Sequence, residues 1–154
     1  MIGVLMICTG NTCRSPLAAA LLTRALEEAG RPDIIATSAG TGAWQGAPAS
    51  EGSYLVALEH GLDLSAHRAR LLTPALVNES HLILTMSRTH LARVRELGGA
   101  GRAHLISEYA GLTGARAEVE DPFGGDLDEY RATLRTLAGM MPAIVDRLTG
   151  TASG

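Results

Sequence analysis

The chain has 154 residues, a formal net charge of −3 and 46% hydrophobic residues. That length supports one domain with a full core, and the acidic balance argues against general nucleic-acid binding. No apolar run has the length of a membrane span, and the two cysteines, five positions apart, are no scaffold for a disulfide-built secreted fold.

Val4 to Ile7 is a short apolar run that predicts a buried strand. The chain then turns small and polar from Cys8 to Arg14. Ser15-Pro16 follow, and serine as N-cap with proline at the first helical position predicts a helix from Ser15 to about Ala29. Leu17, Ala20, Leu21, Ala25 and Leu26 recur at helical spacing, and Gly30 stops it. Ile34 to Ser38 reads as a second strand and residues 39–46 as a loop. A second helix is expected over residues 49–60, closed by Gly61, and a short one starts near Thr73-Pro74. His81 to Met86 is a third strand. Ser87 caps a helix from Arg88 to about Leu97, halted by Gly98-Gly99. Ala103 to Ile106 is a fourth strand, followed by a long loop to Gly125. The last helix is expected from Leu127 to about Leu148, kinked or broken at Pro142. Residues 1–150 then form one domain and 151–154 a disordered tail. Apolar strands alternating with helices predict an α/β fold, a parallel sheet covered on both faces, with ligands bound at the C-terminal strand ends.

The segment from Cys8 to Arg14 falls at such a strand end, before a helix N-terminus. Loops of this kind bind anions, because backbone N–H groups converge there and the helix dipole adds positive potential. Gly10 and Asn11 suit the left-handed turns a tight curl needs, and the Arg14 guanidinium can grip two phosphate oxygens. These surroundings favour the thiolate of Cys8. Ser15 has two expected roles, capping the helix and donating its hydroxyl to the Cys8 sulfur. The loop is neither a Walker A motif nor a dinucleotide fingerprint.

The pattern Cys8-x5-Arg14-Ser15 resembles the signature loop of the low-molecular-weight protein tyrosine phosphatase family. The wording Cys-Thr-Gly-Asn-Thr-Cys-Arg-Ser-Pro resembles its bacterial protein arginine phosphatase branch. The resemblance covers nearly the whole chain, and implies a three-layer flavodoxin-like fold with a four-stranded parallel sheet. It implies that Cys8 attacks phosphorus to form a phosphocysteine, while Arg14 and the amides of Thr9, Gly10, Asn11, Thr12 and Cys13 hold the phosphoryl oxygens. Asp121, in Asp121-Pro122-Phe123-Gly124-Gly125, matches the family's general-acid loop, and one carboxyl can act as acid and then as base. Glu118, Glu120, Asp126, Asp128 and Glu129 surround it with like charge, which favours a protonated carboxyl. Ser38 in Ser38-Ala39-Gly40 matches the serine that hydrogen-bonds the loop, and His67 the histidine that bonds the loop asparagine, here Asn11. Cys13 is a candidate resolving thiol for Cys8.

Thr12 stands where tyrosine-specific relatives carry a larger aliphatic residue, which favours phosphoarginine. Trp44 and Phe123 are expected as aromatic walls of the substrate pocket, and Trp44 suits the alternative, phosphotyrosine. Arsenate reduction on the same loop would need cysteines downstream of Cys13, and there are none. A non-catalytic phosphate-binding module would be expected had Cys8, Arg14 or Asp121 been missing. No cofactor or metal is implied, since phosphoryl transfer through cysteine needs none, and His60, His81, His90 and His104 lack ligand spacing. The expectation is a cytoplasmic, monomeric phosphatase acting on phosphorylated proteins, with no nucleic-acid or membrane partner.

Overall fold

A computed structural model describes residues 1–112 and 118–150. Four strands, β1 (Ile2–Cys8), β2 (Ile34–Gly40), β3 (Leu82–Thr85) and β4 (Ala103–Leu105), form one sheet in the order β2-β1-β3-β4. Every pairing is parallel, with Cys8 opposite Gly40 and Ile7 opposite Thr85. Among the described residues, six α-helices cover it: α1 (Arg14–Glu28), α2 (Glu51–Glu59), α3 (Pro74–Glu79), α4 (Arg88–Val94), α5 (Ile106–Tyr109) and α6 (Leu127–Thr149).

Side chains alternate across a strand, so β1 feeds two cores. Val4, Met6 and Cys8 face a cluster with Leu17, Leu21, Leu134, Leu137 and Ile144, from α1 and α6. Leu5 and Ile7 face a second cluster with Val77, Leu91 and Val94, from α3 and α4. β1 is therefore apolar on both faces, as a central parallel strand requires. Its C-terminal end, where Cys8 stands, lies at the point where the chain order reverses between β2 and β3.

The structure corrects several sequence expectations. α1 begins at Arg14 after Cys13, which makes no side-chain cap, so Ser15 lies inside the first turn and is not the N-cap. Pro16 is tolerated there because first-turn N–H groups have no helical partner anyway. The loop expected to start after Ile106 first makes α5, a four-residue helix too short to show a periodicity. α4 passes directly into a wider helical turn over Arg95–Gly99, and Gly98, at φ 102°, is where the helical backbone stops, as the sequence predicts. α6 runs unbroken through Pro142. That proline is exposed, so the carbonyl it leaves unpaired is open to water. Gly150, at φ 70°, closes α6, and the tail expected over 151–154 lies outside the described residues.

Candidate active site

The chain leaves β1 at Cys8 and enters α1 at Arg14 in one curl. Asn11 makes that curl possible. It is fully buried and holds φ 57°, a left-handed conformation asparagine tolerates better than most residues. Its side chain spans the curl: Oδ1 accepts from the Arg70 amide at 2.9 Å, and Nδ2 donates to Ser15 Oγ at 2.8 Å. Its carbonyl accepts from His67 Nε2 at 2.6 Å, so the expected His67–Asn11 pair forms through the backbone. Ser15 Oγ lies 2.9 Å from Cys8 Sγ. Because Ser15 already accepts from Asn11, its proton is left for the sulfur. The hydroxyl expected to cap α1 is used here instead.

Gly40 completes the support. A Cβ there would lie 2.3 Å from the Thr9 carbonyl oxygen and 2.9 Å from the Asn11 nitrogen. Only glycine lets β2 pass this close, and the Thr41 and Gly42 amides then donate to the Cys8 and Thr9 carbonyls. The Ser38-Ala39-Gly40 match had pointed to its serine. The Ser38 hydroxyl makes no hydrogen bond to the loop among the described residues. The Ser38 carbonyl accepts from Arg70 Nε at 3.2 Å, and it is the Arg70 amide that bonds the loop, at Asn11 Oδ1.

A cavity of about 220 Å³ opens over the curl, lined by Cys8, Thr9, Gly10, Thr12, Cys13, Arg14, Asp121 and Phe123. Residues 113 positions apart in sequence thus share one site. Arg14 is 5% exposed. Its Nη1 donates to the Val119 carbonyl at 3.0 Å, and its Nη2 lies 3.5 Å from Asp121 Oδ2. Its Nε is buried without a partner. A buried, unpaired guanidinium N–H is costly unless a ligand accepts from it. Nε and Nη2 form one edge of the fork, the edge that takes two oxygens of an oxyanion.

Asp121 is reached from the other side. Val119 donates to the Met86 carbonyl at 2.9 Å, which pins its segment beside β3. Asp121 Oδ1 accepts from the Phe123 amide at 3.1 Å, and its side chain is 49% exposed. Three of the carboxylates expected to crowd it are turned elsewhere. Glu118 takes the Arg88 amide, Asp126 caps α6 and Asp128 pairs with Arg131. The charged group facing Asp121 is Arg14.

Trp44 does not line the cavity; it is 84% exposed on the neighbouring loop. Phe123, 75% exposed, does line it. Both cysteines are free thiols, and Cys13 Sγ donates to Ser50 Oγ at 3.3 Å and lies 3.7 Å from Tyr130 Oη.

The residue-range 3–152 matches the model of the low molecular weight phosphotyrosine protein phosphatases. The chain belongs to this family. A probable low molecular weight protein-tyrosine-phosphatase of Ralstonia solanacearum is 33% identical over 153 residues, covering 94% of each chain. A protein-arginine-phosphatase of Geobacillus stearothermophilus is 32% identical over 145 residues, covering 94% of this chain and 95% of that one. A crystal structure of the low molecular weight protein tyrosine phosphatase of T. tengcongensis superposes with a TM-score of 0.88 at 35% identity, covering 96% and 99%. The protein is a cysteine-based protein phosphatase with this family's fold.

One further buried polar residue touches the loop of the phosphatase. His90, 3% exposed on α4, places Nε2 2.8 Å from Thr9 Oγ1 and Nδ1 3.0 Å from Ser87 Oγ. Burial, reinforced by the nearby Arg14 charge, pushes it down to about 4. His67 is also lowered, first by burial. Both imidazoles are neutral at physiological pH. The 81 positions between His90 and Thr9 hid His90 from any local motif, whereas the family resemblance had already pointed to His67.

Proposed function

We propose that this phosphatase hydrolyses phosphoarginine in proteins through a phosphocysteine intermediate. The Cys8 thiolate attacks phosphorus as the P–N bond breaks, and Asp121 protonates the departing guanidine. Asp121 then takes a proton from the water that attacks the phosphocysteine, releasing phosphate and the thiolate. The side edge of Arg14 and the loop amides hold the phosphoryl oxygens, and the Ser15 hydroxyl donates to the Cys8 sulfur when it is charged.

The observation that carries the substrate reading is Thr12 in the cavity wall. Its hydroxyl and the half-exposed Asp121 carboxyl stand on the same cavity as Cys8. They offer acceptors to the N–H groups of a guanidinium, and an isoleucine at 12 would offer only methyl groups. Trp44, the residue that favoured a phenyl ring, stands outside that lining. Phe123 at the mouth suits the second reading, phosphotyrosine, since an aromatic ring can face a phenyl or stack on a guanidinium.

The test is kcat/KM on matched phosphoarginine and phosphotyrosine peptides, with Cys8→Ser as control. A preference for phosphoarginine of about tenfold, or 1.4 kcal/mol of differential transition-state binding, is expected. Thr12→Ile should move that ratio toward phosphotyrosine, and an unchanged ratio removes Thr12 from the assignment. Cys13 is proposed as the resolving thiol of Cys8. Mild peroxide should then remove two thiols per chain, both restored by reductant. Loss of one thiol alone would assign oxidation to Cys8 without a partner.

A further inference from the structure

We propose that His90 is a positioning residue: it orients the hydroxyl of Thr9 so that Thr9 donates a hydrogen bond to the oxyanion in the catalytic cavity. The argument follows protons along a chain of three side chains, Ser87, His90 and Thr9. Ser87 is the N-cap of α4, and its Oγ accepts from the His90 amide. That bond uses a lone pair and leaves the Ser87 proton to be placed. The acceptor beside it is His90 Nδ1, at 3.0 Å. A neutral imidazole accepting at Nδ1 carries its proton on Nε2. In this assigned tautomer Nε2–H donates to Thr9 Oγ1, 2.8 Å away. With a lone pair of Thr9 occupied from behind, its own proton is directed away from His90. Thr9 lines the cavity that also holds Cys8 and Arg14.

The helix cap of α4 thus sets the hydroxyl of the first residue after β1. The backbone of Thr9 is fixed as well, since its carbonyl accepts from the Gly42 amide at 2.9 Å. A hydroxyl held at both its backbone and its oxygen costs little to align when the transition state forms. The inference rests on the cysteine phosphatase chemistry alone, and holds whichever phosphorylated residue is the substrate.

The experiment uses p-nitrophenyl phosphate turnover and vanadate binding, both independent of the peptide preference. Thr9→Val is expected to lower kcat/KM and vanadate affinity about tenfold, the loss of one hydrogen bond to a charged group. Thr9→Ser should retain most of both. His90→Phe should cost a similar factor in the Thr9 background and less than about twofold in the Thr9→Val background, because two residues acting through one bond are not additive. His90→Gln, whose amide can donate from a comparable position, should recover most of the loss. Equal costs of His90→Phe in both backgrounds would overturn the proposal and leave His90 as core packing. Should His90→Phe fail to fold, Thr9→Val decides: unchanged turnover and vanadate affinity overturn the proposal.

Discussion

The two halves of the active site are built differently. The loop from Cys8 to Arg14 is held from every side: Asn11 is buried and bonded at its side-chain oxygen, its side-chain nitrogen and its carbonyl, and Gly40 presses against the Thr9 carbonyl. The segment from Glu118 to Gly125 is pinned at Val119, which is 3% exposed, and then runs out over the surface with Asp121 and Phe123. The loop must present several N–H groups to one oxyanion with little freedom, because preorganised donors stabilise charge best. The proposed acid, Asp121, stands instead at the mouth, with its side chain 49% exposed. Changes in the first half should therefore damage fold and activity together, and changes in the second should damage activity alone.

The largest effect is expected from Cys8→Ser, which should lower kcat by about 10⁴-fold or more, as loss of a nucleophile does elsewhere. Single-turnover assays with radiolabelled phosphate should then find no phosphorylated cysteine. Asp121→Asn should cost about 10²- to 10³-fold in kcat while thermal unfolding is unchanged. The loss should shrink for p-nitrophenyl phosphate, whose leaving group needs little help from an acid. A large fall in melting temperature for Asp121→Asn would break the contrast between the halves.

Gly40→Ala tests the other half. Its Cβ would meet backbone atoms that cannot move aside, so about 2–3 kcal/mol of stability should be lost along with activity. Denaturant unfolding and kcat measured together check it. A pH series sharpens the same point. The folded protein holds His90 down at about 4, against 6.5 for a free histidine. The neutral form is the one the fold favours, so its contribution is complete above pH 6.5 and is lost as pH falls toward 4. It is worth on the order of 3 kcal/mol. His67 is shifted in the same direction. The unfolding free energy of wild type should fall over this window more steeply than that of His90→Gln. The smallest effect is expected from Phe123→Ala: within about 0.5 kcal/mol in stability, since the ring is exposed, with a change in KM only.

What the sequence reveals follows the same division. The strand, the curl and the helix that follow one another from Val4 to Glu28 are local, and their hydrophobic spacing and Gly-Asn turn are readable without the rest of the chain. The partners of that curl are not local. Gly40 looks like any strand-ending glycine until its distance from Thr9 is known, and His90 looks like a helix-surface residue until α4 is packed. Ser15 misled for a physical reason: serine before proline is a good cap, but α1 already starts at Arg14, and the Ser15 hydroxyl is turned to Asn11 and Cys8. The acidic residues near Asp121 misled because charge along a sequence says nothing of direction, and Arg88, Arg131 and the α6 cap draw them off. Trp44 was placed by likeness, and its ring lies outside the cavity.

Arg14 belongs to both halves at once. It is the first residue of α1, its side edge is open to a ligand, and its Nη1 holds the Val119 carbonyl. Occupancy of the cavity and the seating of the Glu118–Gly125 segment therefore draw on a single guanidinium, and thermodynamic linkage makes their influence mutual. The segment changes the affinity for the anion, and the anion changes the seating of the segment, by one and the same factor. Release of the anion and movement of the segment are then two faces of one equilibrium.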